Sequence, residues 1–208
     1  MEEFIGYMVF SLVEGLALYA IIFYSLRIDL IKHLLPVIGA ITVINLQSYI
    51  IREELSLSTI SPVINLLITA IFIIVYLRIP LAWSLIMTIV GYIAFGLLQT
   101  AIVYLSFGFF SIHELSNLVW KSYLLQVLTG FIGFGLSYLT YKFGYGFTFE
   151  LEKLRLRKEK ILVSMGIASF ILALLVIMLY KSVFSNLVVF AVFMFLAVIY
   201  YQRKDTEA

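Results

Sequence analysis

The sequence predicts an all-α fold: a polytopic bundle of about seven transmembrane helices, forming one membrane domain over residues 1–208. Three observations predict it. Seven apolar stretches occupy almost the whole chain, and each is close to the roughly 20 residues that cross a hydrocarbon core about 30 Å thick. Charged residues make up only 12% of the chain and mean hydropathy is +1.11, whereas a soluble domain carries about 25% charge. Finally, the Lys and Arg residues sit in the connectors, and mostly in every second one.

The first span, Phe4–Leu26, follows Met1-Glu2-Glu3. Acids stand there where a signal peptide needs basic residues, and the apolar run is longer than a signal core, so a retained span is expected. Arg27-Ile28-Asp29 separates it from the second span, Leu34–Ile51, which has Pro36 near its start. Arg52-Glu53-Glu54 leads to the third, Ile60–Leu77, again with a proline, Pro62, near its start. Arg78-Ile79-Pro80 leads to the fourth, Leu81–Ser106. Pro80 suits a first helical turn, where a missing N–H breaks no intrahelical bond. His113-Glu114 lies in the connector to the fifth, Leu118–Tyr141. The charged segment 142–160 then precedes the sixth and seventh, Ile161–Tyr180 and Val183–Tyr201. Gly91 and Gly96 on the fourth span, and Gly130, Gly133 and Gly135 with Ser137 on the fifth, predict close helix–helix approach. The many Phe and Tyr residues read as lipid-facing or interface-belt groups.

Orientation follows from the basic residues of the short loops. One set of connectors holds Arg27, Lys32, Arg78, Lys142, Lys153, Arg155, Arg157, Lys158, Lys160, Arg203 and Lys204; the other holds Arg52, Lys121 and Lys181. The richer side is expected in the cytoplasm of a bacterial cell, with the N-terminus outside and the C-terminus inside.

Residues Phe149 to Lys160 alternate Leu151, Leu154 and Leu156 imperfectly with charge. A short surface helix there buries the leucines and offers Lys153, Arg155, Arg157, Lys158 and Lys160 to anionic headgroups, at about 1 kcal/mol each. The same charges also suit a solvated loop that only fixes orientation, or the docking of a cytoplasmic protein partner. The preceding Gly144-Tyr145-Gly146-Phe147 suits a turn at headgroup level. No Lys-Ser or Lys-Thr follows it and no strand precedes it, so a phosphate loop is not expected.

Glu14 is the most informative residue. It lies about ten residues into the first span, near the bilayer midplane at 1.5 Å rise per residue. A carboxylate at that depth costs at least about 2.5–3.5 kcal/mol, so it is expected to face the bundle. Its use is either structural, joining helices by hydrogen bonds, or functional, as a proton-relay group or a counter-charge for a ligand. With the orientation above, Asn45 and Gln47 fall in the outer part of the second span, Asn65 in the outer third of the third, and Gln99 and Thr100 late in the fourth. Gln126 and Thr129 fall in the outer half of the fifth. Interhelical hydrogen bonding, worth about 0.6 kcal/mol per pair, accounts for some of these residues. Their one-sided depth further predicts a polar cavity open to the outside, with Glu14, Asn45, Asn65, Gln47, Gln99 and Gln126 as its ligand-binding groups.

Several classes are excluded. The chain has no cysteine, hence no disulfide, thiolate-held metal or thiol nucleophile. His-Glu-x-x-His, Gly-x-Ser-x-Gly and Walker sequences are absent. Glu53-Glu54 is similar to the paired glutamates of intramembrane metalloproteases, but the matching Arg and downstream His motifs are missing. His33 and His113 fall on opposite sides of the predicted membrane and cannot share a metal. No enzyme activity and no cofactor is expected. A net charge of +2 gives no reason to expect a nucleic-acid partner.

Ser11-Leu12-Val13-Glu14-Gly15-Leu16-Ala17-Leu18 in the first span, and Tyr141 to Lys160 after the fifth, resemble the membrane-embedded sensor region of AgrC-like receptor histidine kinases of Gram-positive bacteria. Length and span number fit as well. The resemblance implies a sensor or accessory module standing alone, because no dimerisation helix or ATP-binding domain follows; it carries over no functional residue. Two functions are therefore expected in competition. One is a non-catalytic receptor-like or regulatory module that binds an extracellular peptide or amphipath and signals to a cytoplasmic partner. The other is a transport component, such as the substrate-binding subunit of a transporter. A purely structural or assembly role is a third reading.

Overall fold

The computed structural model describes residues 2–53 and 61–146. They form six α-helices: α1 Glu2–Ser25, α2 Leu34–Glu53, α3 Ser61–Leu77, α4 Leu81–Leu105, α5 Ile112–Asn117 and α6 Val119–Lys142. A 3-10 turn, Leu30–His33, joins α1 to α2. No strand occurs among the described residues. The predicted sixth and seventh spans, and the surface segment with Lys153, Arg155, Arg157, Lys158 and Lys160, lie outside the described residues.

Four stretches are long and apolar enough to cross a membrane: Phe4–Ser25, Leu30–Ile51, Trp83–Leu105 and Val119–Lys142. Helix α3 is apolar but shorter, at 17 residues. The prolines fall where their chemistry allows. Pro62 occupies the first turn of α3, Pro36 the first turn of α2, and Pro80 the residue just before α4. None interrupts a helical ladder.

Helices α1, α2, α3 and α4 pack as a ring, each against the next and α4 back against α1. Helix α6 lies along the outside of the α1–α4 seam, with its most extensive packing against α1. Ring contacts fix the directions. Phe4 and Tyr7 meet Tyr49, so the start of α1 lies beside the end of α2. Phe10 stacks on Tyr123 at 4.4 Å and Tyr24 on Tyr141 at 4.9 Å, so α1 and α6 run parallel. Across the ring, α1 and α3 touch where Tyr19 packs edge-on against Phe72.

The α1–α6 seam is close because its residues are small. A Cβ on Gly130 would stand 2.6 Å from Val13 Cγ1 and 3.2 Å from the Val13 carbonyl oxygen. At Gly91 on α4 a Cβ would collide with Ile22. Gly130, Gly133 and Ser137 are buried in the seam, whereas Gly135 faces open space. The main core is centred on α1, where Ala17, Tyr19, Ala20, Ile22, Phe23 and Tyr24 are all buried.

The connectors sort into two ends. Arg27, Lys32, Arg78 and Lys142 lie at the end where α1, α3 and α6 finish and α2 begins. Arg27 follows α1 with a left-handed φ of 56°, and its guanidinium donates to the Gly144 carbonyl beyond α6. Asp29 caps the 3-10 turn by accepting from the Ile31 N–H. The opposite end holds α5, a short helix within the connector expected between the fourth and fifth spans. Ser111 caps it, accepting from the Glu114 N–H at 3.3 Å.

Candidate functional site

The α1–α4 ring encloses a cavity of about 380 Å³. Its walls are helical stripes in which neighbours recur three or four residues apart. Helix α1 contributes Tyr7, Ser11, Glu14, Gly15, Leu18 and Tyr19, and α2 contributes Ile41, Ile44, Asn45 and Ser48. Helix α3 adds Pro62, Asn65 and Thr69, and α4 adds Tyr92, Phe95, Gly96, Gln99 and Thr100. Gln126 reaches the cavity from α6, which packs along the α1–α4 seam. The lining runs from Tyr7 and Pro62, near the ends of α1 and α3, to Thr69 and Tyr92 near the middles of α3 and α4. Apart from Leu18 and Tyr19, past the midpoint of α1, it therefore occupies the half of the ring away from Arg27, Lys32, Arg78 and Lys142.

Five of the six residues singled out as ligand-binding line this one space: Glu14, Asn45, Asn65, Gln99 and Gln126. Gln47 does not. Asn45 and Gln47 are about 200° apart around a helix, so they cannot share a face. Depth along the span made them look alike; rotation about the helix axis separates them. Thr129 also lies elsewhere, buried and bonded to the Leu125 and Gln126 carbonyls of its own helix.

Polar contacts span the cavity. Gln99 Nε2 donates to Glu14 Oε1 at 3.2 Å, joining the later part of α4 to the middle of α1. On the other side, Ser48 and Ser61 hydroxyls share a hydrogen bond of 2.5 Å and Asn65 Nδ2 donates to Ser48 Oγ at 3.3 Å, joining α2 to α3. Thr69 and Tyr92 hydroxyls stand 3.4 Å apart between α3 and α4. Not every polar atom is matched. Asn45 Nδ2, Asn65 Oδ1 and Gln126 Oε1 are shielded from solvent and have no hydrogen-bond partner among the described residues. Asn45 is 7% exposed as a whole. A buried unmatched polar atom costs about 1–3 kcal/mol, so its presence calls for an explanation other than stability.

The hydroxyls of the lining escaped the sequence reading. Tyr7, Ser11, Ser48, Thr69 and Tyr92 were legible only as members of stripes: Ser11 and Tyr7 stand three and seven residues before Glu14, and Ser48 three after Asn45.

A second polar cluster stands at the same end of the bundle. Lys121 is buried near the start of α6. Its ammonium donates to Glu114 Oε2 at 2.8 Å and to the Phe109 carbonyl at 3.2 Å, and it lies 4.3 Å from the centre of the Phe109 ring. The hydrogen bond from Lys121, and then its positive charge, hold the Glu114 carboxyl below its ordinary range. This cluster pins α5 to α6 and does not line the cavity. No group of three or more His, Asp or Glu residues suited to a metal occurs among the described residues. No protein-family model matches the chain, and neither a curated protein nor a solved structure is significantly similar to it.

Proposed function

We propose that the chain is a multi-pass membrane protein of seven spans, N-terminus outside, that acts as a receptor-like or regulatory binding module. In this reading a peptide or amphipathic small molecule enters the α1–α4 cavity from the outer face, and occupancy is passed to a cytoplasmic protein partner. The observation that carries it is the convergence of Glu14, Asn45, Asn65, Gln99 and Gln126 on one space from five helices. Helices α1, α2, α4 and α6 are each long and apolar enough to cross a membrane, and a carboxylate at such depth is a costly choice for mere adhesion. The cavity also lies in the half of the ring away from four basic connector residues, the side that the positive-inside rule turns outward. A size of about 380 Å³ falls in the range of small-molecule sites.

Gentle extraction followed by native mass spectrometry tests this, comparing the wild-type chain with Glu14→Gln. The expected result is a non-lipid small-molecule adduct on the wild type that the variant loses, with topology reporters unchanged. Identical adducts on both chains, or lipid adducts alone, return Glu14 to the role of a helix-joining group.

A further inference from the structure

We infer that the cavity holds its ligand by a carboxamide, an uncharged group with a C=O and an N–H side by side, carried on an apolar or aromatic body. The inference rests on the binding-module reading above and names the ligand's chemical class. Asn45 and Asn65 carry it. Ser48 stands one helical turn after Asn45 on the cavity face of α2, and its Oγ accepts from Asn65 Nδ2 of α3 at 3.3 Å. The two asparagines therefore flank one hydroxyl from adjacent helices. Asn45 Nδ2 is a donor without a partner among the described residues, on a residue more than nine-tenths buried. Asn65 Oδ1 is an acceptor in the same condition, and Gln126 Oε1, from α6, is a second.

The unmatched amide atoms of the lining are thus one donor and two acceptors. A carboxamide supplies the reverse set: one C=O and, when primary, two N–H groups. An ester offers acceptors only and leaves Asn65 and Gln126 unmatched. An ammonium ion offers donors only and leaves Asn45 unmatched. An ion also brings a desolvation cost into an apolar bundle, which a neutral dipole largely avoids. Asn and Gln amides turn on broad terminal torsions, so these shielded atoms reach a ligand without moving a helix. Tyr7, Tyr92 and Phe95 of the lining offer flat apolar surface to its body. Glu14 plays no part in the assignment; its carboxylate accepts from Gln99 on the other side of the cavity.

The test uses the full chain in lipid nanodiscs, with empty nanodiscs as the partition control. Binding by calorimetry is compared for phenylacetamide, its ester counterpart methyl phenylacetate, and phenethylammonium. Saturable binding of phenylacetamide is expected, with the other two weaker by about tenfold or more, the loss of one hydrogen bond in a buried site. Asn45→Leu should weaken phenylacetamide by a similar factor while melting no lower than wild type. Gln47→Leu, on the same helix but outside the cavity, should leave the affinity unchanged. Equal or tighter binding of the ester or the ammonium ion overturns the amide assignment, and the wild-type chain alone decides this. Unchanged phenylacetamide affinity in Asn45→Leu overturns it too. So does a failure of all three probes to bind, and the adduct comparison with Glu14→Gln then decides the binding-module reading by itself.

Discussion

Helix α1 shows two unlike faces. Toward α6 it meets glycines and stacked rings, with Val13 against Gly130 and Tyr24 against Tyr141. Toward α2, α3 and α4, over the half that begins at Tyr7, it turns Ser11 and Glu14 to the cavity, while Gly15 lets Ile41 of α2 approach closely. The first face gains from close contact along nearly its whole length. The second borders a cavity around which Asn45 Nδ2, Asn65 Oδ1 and Gln126 Oε1 are left unmatched, at a cost in stability. One helix thus divides the labour: a seam that holds the bundle, and the wall of a polar cavity.

That contrast breaks most visibly by substituting each face. Gly130→Val drives a side chain into the Val13 backbone, and should destabilise the bundle by about 1–3 kcal/mol. Gly135→Val, on the same helix but facing open space, should be close to neutral. Asn45→Leu removes a buried amide whose Nδ2 is unmatched, and should be neutral or stabilising by up to about 1 kcal/mol. Thermal melting in one detergent ranks all three. A loss in Asn45→Leu comparable to that in Gly130→Val would make the cavity wall structural and erase the distinction.

A smaller effect sharpens the comparison at the end of the seam where α5 packs on α6. The Glu114 carboxyl is lowered by Lys121, so its contribution is complete above the unfolded-state value near about 4.3 and is lost as pH falls through the lower folded value. Lys121→Met should therefore be less stable than wild type at neutral pH, and the gap should narrow below about pH 4. A gap that stays constant with pH would show that Lys121 acts through the Phe109 ring and carbonyl alone.

Much of this architecture was readable from residues because hydrocarbon imposes strict lengths. The ends of α1, α2, α3, α4 and α6 lie within a few residues of polar punctuation such as Arg27, Arg78 and Lys142. Helix α5 was not read, since six residues carry no periodicity; its signal was the local Ser111…Glu114 spacing of a capped helix start. Five of the amide and acid residues were recognisable because polarity is costly in a span. Gln47 went astray because depth ignores rotation about the axis. The hydroxyls were invisible for a different reason. Ser and Thr satisfy themselves on their own helix, as Thr88, Thr129 and Ser137 do against carbonyls four residues back. Polarity in such residues therefore marks no site. Ser48, which bonds across to α3 instead, is distinguishable only once the stripe is drawn.

The cysteine-free chain allows the central claim to be tested directly. Single cysteines are placed at Ser48, on the cavity wall, and at Val75, 72% exposed on the outside of α3. Intact cells are then treated with a small membrane-impermeant methanethiosulfonate. Modification at Ser48→Cys from the exterior, with Val75→Cys untouched, is the predicted result. Modification at Ser48→Cys only after the cells are opened, or none at all, contradicts an outward, water-filled binding cavity.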